Sequence, residues 1–275
     1  MMIKKTLLTG IMMMMLFPAA KSQSFGDIYK KSIEENIAIP YSFLREADVM
    51  WSKKLWRLID LREKMNLPLY YPTTTTADGR MSLANILLGE IKSGTINAYD
   101  PVNMNVSVTY SDIEKLMGAG IDSTQIQDMS GVFRDTILYA EARTDQIMQL
   151  LVLEEWYFDK KHSRMDVRII GLCPIRVYFN EDMGRMARSM LFWVNFEDFR
   201  DTFARHEAYN TFNDAQRISY DDFFLQRRFS SIIYAESNVY DDRQINEYLL
   251  GKSALYEAER IKSELMEFEH DLWEF

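Results

Sequence analysis

Ile147-Met-Gln-Leu-Leu-Val-Leu-Glu-Glu-Trp-Tyr-Phe158, then Asp159-Lys-Lys-His-Ser163, then Met165-Asp-Val-Arg-Ile-Ile-Gly-Leu-Cys-Pro-Ile-Arg-Val177, is the stretch on which the fold turns. Two runs rich in branched and aromatic residues flank a polar turn, which predicts a β-hairpin over about 147–177. The β-like pattern extends from Ile137 to Phe179, and Leu191-Phe-Trp-Val-Asn-Phe196 predicts a third strand beyond a loop at Gly184. An antiparallel sheet is expected. Around it the periodicity predicts helices over Phe43–Met65, Glu197–Ala208, Tyr220–Ala235 and Gln244–Leu272. Asn66-Leu-Pro68 is expected to stop the first of these. Ser82 is read as the cap of a helix through Lys92 that ends at Gly94. Tyr70–Gly79 reads as a loop, Val106–Thr109 as a short strand, and Ser111-Asp-Ile-Glu114 as a capping box opening a brief helix. The fold class is α+β.

Asp48–Ile59 can be laid beside Asp222–Ile233 with basic pairs and apolar positions coinciding, and Leu87-Leu-Gly89 beside Leu249-Leu-Gly251. This reads either as an internal duplication with two related helical layers or as the ordinary likeness of amphipathic helices.

The 275 residues are 47% hydrophobic and 27% charged, with 11 Gly, 6 Pro and one Cys. That composition excludes disorder and collagen, and the length supports a sizeable core without disulfides or metals. Lys4 and Lys5 precede an apolar run from Leu7 to Phe17, and Ala20-Lys-Ser22 supplies small residues, which predicts a signal peptide over 1–22 with cleavage before Gln23. The run is short of the ~20 apolar residues that cross a bilayer. A lipid anchor requires a cysteine at the new N-terminus, whereas the only one is Cys173. Residues 23–275 are expected to form one soluble domain. Cleavage removes Lys4, Lys5 and Lys21 and no acid, moving the net charge from −9 to −12, which argues against a dominant grip on nucleic-acid phosphates. Cys173 lies in the apolar strand and is expected to be a packed, non-bridging thiol.

Chemical signatures are sparse. His162, His206 and His270 have no second His or Cys at ligand spacing, so neither metal nor cofactor is expected. His206-Glu207 lacks the later His of a zincin because position 210 is Asn, and Gly251-Lys-Ser253 lacks the first glycine of a phosphate loop because position 246 is Asn. Gly118-Ala-Gly120 lacks the third glycine of a dinucleotide fingerprint. Glu154, Glu155, Asp159 and Asp166 flank the hairpin and are the candidates for a carboxylate pair, the basis of an alternative reading as a cell-wall glycan hydrolase. The competing reading is solvated strand ends and turns.

Several blocks carry a resemblance. Asp48-Val-Met-Trp-Ser-Lys-Lys-Leu-Trp-Arg-Leu-Ile-Asp-Leu-Arg-Glu-Lys-Met-Asn66 with Pro68-Leu-Tyr-Tyr-Pro72, Glu154–Asp159, Met165–Pro174, Phe229–Asp241 and Glu269–Phe275 together resemble the GldN/PorN family of Bacteroidetes, and they span residues 48–275. The resemblance implies a non-enzymatic periplasmic component of the type IX secretion and gliding motility machinery. It implies a ring, homo-oligomeric in this chain, built with a GldK/PorK-like outer-membrane lipoprotein and other secretion components, so that membrane association is indirect. It implies no catalytic residues. Candidate contacts for such an assembly are the basic faces at Lys53, Lys54, Arg227 and Arg228 and the tail aromatics Trp273 and Phe275, because arginine and aromatic side chains are favoured interface anchors.

Overall fold

The computed structural model describes residues 33–127, 133–140, 142–181, 183–211, 213 and 215–272. The expected signal peptide and the tail aromatics Trp273 and Phe275 lie outside them. In chain order the strands are β1 Val49–Asp60, β2 Ala98–Tyr99, β3 Ser107–Val108, β4 Gly120–Gln127, β5 Phe133–Ala140, β6 Ile147–Asp159, β7 Arg164–Asn180, β8 Arg185–Met190, β9 Val194–Asn195, β10 Glu207–Ala208, β11 Ile218–Ser219 and β12 Ile232–Glu236. The α-helices are α1 Leu67–Tyr70, α2 Leu83–Ser93, α3 Tyr110–Leu116, α4 Phe196–Arg205, α5 Tyr220–Leu225, α6 Ile245–Tyr248 and α7 Lys252–Asp271.

The predicted hairpin is the centre of the molecule. β6 and β7 pair antiparallel from Ile147↔Arg176 to Asp159↔Arg164, and the curled sheet runs β12-β1-β6-β7-β8 with β9 also on β7. β6 is covered on both faces, which is why it reads as a continuous apolar run rather than an alternating one. The α+β class holds.

Four helical expectations change. Phe43–Met65 is not a helix: its centre is β1, which pairs with β6 from Val49↔Asp159 to Asp60↔Gln149. Leu55, Trp56 and Ile59 satisfy a helical stripe, but Leu55, Arg57 and Ile59 also satisfy period two, and pairing on both sides makes the strand win. Tyr220–Ala235 divides into α5 and β12, with Arg227 at φ 51 ending the helical path. Gln244–Leu272 divides into α6 and α7 at Gly251, whose φ is 60. Asn66-Leu-Pro68 opens α1 rather than closing a helix, because proline suits a first turn, where its missing N–H is no loss.

The two stretches aligned as a repeat therefore form a strand in one case and a helix then a strand in the other, not a pair of helical layers. Leu191–Phe196 contributes only the short β9, while the edge partner of β7 is β8, on the far side of the Gly184 turn. Helix α3 starts from Thr109, so Ser111 lies in its first turn and not at a cap. Ser82 does cap α2, its hydroxyl accepting from Asn85 N–H, and Gly94 closes that helix at φ 74.

Among the described residues three apolar clusters use the two sheet faces. On one face Leu150, Val152 and Leu172 pack under α2, α4 and α5, where Phe196, Phe199 and Phe203 recur at helical spacing and Phe199 stacks on Phe203 at 5.4 Å. Farther along that face Leu55 and Ile233 meet Ala258, Ile261 and Leu265 of α7. The opposite face holds Leu151, Leu153, Cys173 and Ile175 against Trp193. Cys173 is fully buried and unpaired, and burial pushes its thiol up to about 12.

Candidate functional site

Arg57 and Glu154 lie on the same sheet face, between the cluster under α4 and α5 and the cluster under α7. Strand alternation points both inward. Glu154 is 0% exposed and is held from three sides. Arg57 Nε donates to its Oε2 at 3.0 Å, Arg227 Nη2 lies 2.9 Å from Oε1, and Trp156 Nε1 donates to Oε2 at 3.1 Å. Both guanidinium groups also sit over the Trp156 ring, at 5.8 and 5.5 Å. Burial holds the Arg57 guanidinium below its usual value, an effect that Glu154 opposes and Arg227 reinforces. All three donors converge on Oε2, the Arg227 Nη2 bond being 3.1 Å, while buried Oε1 accepts no hydrogen bond among the described residues and meets only the Arg227 charge; the carboxylate is held in the fold by the two arginines.

The other hairpin acids stand in different surroundings. Glu155, next along β6, points to the opposite face from Glu154, so the two do not converge. Asp159 accepts the backbone N–H of Lys161 at 2.8 Å, and its Oδ2 meets His162 Nδ1 at 2.5 Å, which holds its carboxyl below the ordinary value. Asp166 pairs with exposed Arg164 at 3.3 Å. Among the described residues no group of three His, Cys, Asp or Glu is placed to hold a metal ion.

The basic candidates are not one patch. Lys53 bridges to Glu236 of the neighbouring strand at 2.6 Å, whereas Lys54 is exposed. Arg227 turns inward to Glu154, and Arg228 turns outward, its Nε donating to Gln226 Oε1 at 2.7 Å. Arg228 borders a groove of about 650 Å³ that Lys64, Met65, Pro68, Ile218 and Phe223 also line.

A second polar grip was not visible in the sequence. Residues 36–45 cross the surface outside any helix or strand, and Arg200 and Arg168 hold them by main-chain carbonyls, donating to Ile39 O and Ser42 O at 2.6 Å each. Both guanidinium groups also lie over the Tyr41 ring, at 4.1 and 4.8 Å. Asp221 fixes Arg200 with paired bonds of 3.0 and 3.1 Å, both side chains being buried. Only the chain-order neighbours of Arg57, Arg168 and Arg200 are legible in a sequence; the single available signal was a charge at an inward position of a strand or helix.

No described helix is long and apolar enough to cross a membrane. Comparison of the chain with curated proteins gives no match. The sequence does match the family described as Gliding motility associated protein GldN, over residues 44–274. That match takes in β1, the hairpin, the Glu154 cluster, β12 and α7, nearly the whole chain, and the chain accordingly belongs to the GldN family.

Proposed function

We propose that this member of a gliding-motility-associated family is a structural, non-enzymatic component of the type IX secretion and gliding machinery. In this reading the signal peptide of residues 1–22 sends one domain, residues 23–275, to the periplasm. There it assembles into a ring held at the outer membrane by a GldK/PorK-like lipoprotein. The observation that carries the reading is the use made of the hairpin carboxylates: Glu154 is enclosed by Arg57, Arg227 and Trp156, and Asp159 by its own turn. Ionisable groups spent on each other support a scaffold, whereas catalysis needs acids free to exchange protons with a substrate. The apolar side chains left outward, among them Leu250 and Tyr256, fit a protein that works by contact.

Deleting the partner lipoprotein tests this. The protein is expected to leave the membrane fraction or to be degraded, with secretion blocked. Normal abundance in the membrane fraction, or continued secretion without either protein, overturns the reading.

A further inference from the structure

We infer that the loop Asn238–Arg243 of one copy seats in the groove beside Arg228 of a second copy, a head-to-tail contact between identical chains. The inference rests on the assembling role proposed above and names the surfaces for it.

The loop is organised around one side chain. Asn238 Nδ2 donates to Glu236 O at 3.0 Å and to Arg243 O at 3.2 Å, while its Oδ1 accepts from Tyr240 N–H at 2.9 Å and Arg243 N–H at 3.3 Å. Asp242 Oδ1 accepts from Asn238 N–H at 3.2 Å, and the Arg243 guanidinium lies over the Tyr240 and Tyr248 rings at 4.8 and 4.5 Å. Yet this closed loop leaves Val239 91% and Tyr240 67% exposed, followed by exposed Asp241 and Asp242. It is a fixed apolar knob with two carboxylates beside it. Ordering a segment before it binds lowers the entropy cost of the contact.

The groove has the complementary character. Met65, Pro68, Ile218 and Phe223 give it apolar walls, exposed Lys64 and Arg228 border it, and no carboxylate stands among its described lining residues. Its volume of about 650 Å³ is within the ~300–1,000 Å³ of sites that enclose ligand groups.

Knob and groove cannot meet within one chain. Ser237 N–H bonds to Lys54 O, which anchors the loop at one part of β1, and the groove begins at Lys64, beyond the end of that strand. From Lys54 to Asp60 alone the strand rises about 20 Å. β12 lies along this interval, from Ile232 beside Leu58 to Glu236 beside Leu55. Since the two patches cannot engage each other within one molecule, their complementarity is satisfied between copies, and a knob seated in the next copy's groove while its own groove takes a third copy's knob is a heterologous contact, which closes into a ring when the rotation between copies allows it.

Analytical ultracentrifugation of residues 23–275 over a range of concentrations tests this, with Val239→Glu removing the knob and Arg228→Glu altering the groove. The unmodified chain is expected to associate, and each variant to do so about tenfold more weakly or worse. An equimolar mixture of the two variants is expected to stop at a dimer, since one intact knob and one intact groove remain between them. A monomer at every concentration, undiminished association of both variants, or oligomers beyond the dimer in the mixture overturns the inference. Both sites are exposed; should near-ultraviolet dichroism show a variant unfolded, Tyr240→Ser and Lys64→Glu replace it. As a second reading, Val239→Cys and Met65→Cys in one chain should give a ladder with a short bismaleimide, and absence of the ladder counts against the contact. If both tests fail while loss of the lipoprotein still releases the protein, the contact is wrong and the scaffold reading stands.

Discussion

Replacing Glu154 by Gln is expected to lower the stability of the folded chain by about 3 kcal/mol, the lower end of the ~3–5 kcal/mol cost of breaking a buried ion pair. The structure sets where in that range it falls. Gln keeps the volume and one acceptor oxygen, so the bond from Trp156 Nε1 or from one arginine survives. The Arg227 side chain is 29% exposed and can rehydrate, whereas Arg57 is 9% exposed and is left as an uncompensated cation between two apolar clusters. For a domain of this size a loss of about 3 kcal/mol corresponds to a fall in Tm of roughly 6–12 °C. Urea unfolding of residues 23–275 followed by tryptophan fluorescence measures it. Converting the pair together, Arg57→Met with Glu154→Leu, should recover most of the loss, because an apolar pair removes the stranded charge. If Glu154→Gln unfolds within about 0.5 kcal/mol of the unmodified chain, or the double variant is no better than the single, the ionic cluster is not what joins these two parts of the face. A residue kept for proton transfer would show the opposite pattern, with activity lost and the unfolding midpoint unmoved.

Cys173, its thiol pushed up to about 12 in a fully buried site, should react with a thiol reagent at pH 8 only as fast as the protein opens; rapid labelling of native protein would place it at the surface. The Asp159 carboxyl is depressed in the folded state by His162, so its contribution is full above the unfolded value of about 4 and is lost as pH falls through the folded one. His162→Ala should raise the Asp159 pKa toward the ordinary value, read by NMR titration, and an unmoved titration would refute the pairing. Gly171→Ala should destabilise by about 1–3 kcal/mol, since the added Cβ would sit 3.2 Å from both Trp193 Cε3 and Val194 O, groups packed where β9 joins β7; an unchanged denaturation midpoint would show that Trp193 can yield.

The hairpin was legible because its two strands are neighbours in sequence and their composition is unambiguous. β1 was not, since its apolar residues satisfy both a helical and an extended period and the choice is made by β6 and β12, about 100 and 180 residues away in the chain. β12 was hidden for the same reason, its five residues drawing their extended form from a partner far upstream. Glu154 was singled out as an acid beside the hairpin, but its chemistry depends on Arg57 and Arg227, which only the folded sheet brings to it. Cys173 could be placed because burial follows from its immediate neighbours alone. Family membership was readable from the order of long blocks, which needs no knowledge of their structure.

The way residues 36–45 are held has a consequence for which substitutions the protein can absorb. Arg200 and Arg168 take hold of the carbonyls of Ile39 and Ser42, groups that every amino acid carries, while the side chains of those two residues face outward. Positions 39 and 42 can therefore drift widely in side-chain type without loosening the segment. What holds the segment instead is an aromatic ring at 41, arginine at 168 and 200, and the carboxylate at 221 that orients one of them. Two chains could thus look unrelated along this stretch and still lay it down in the same place.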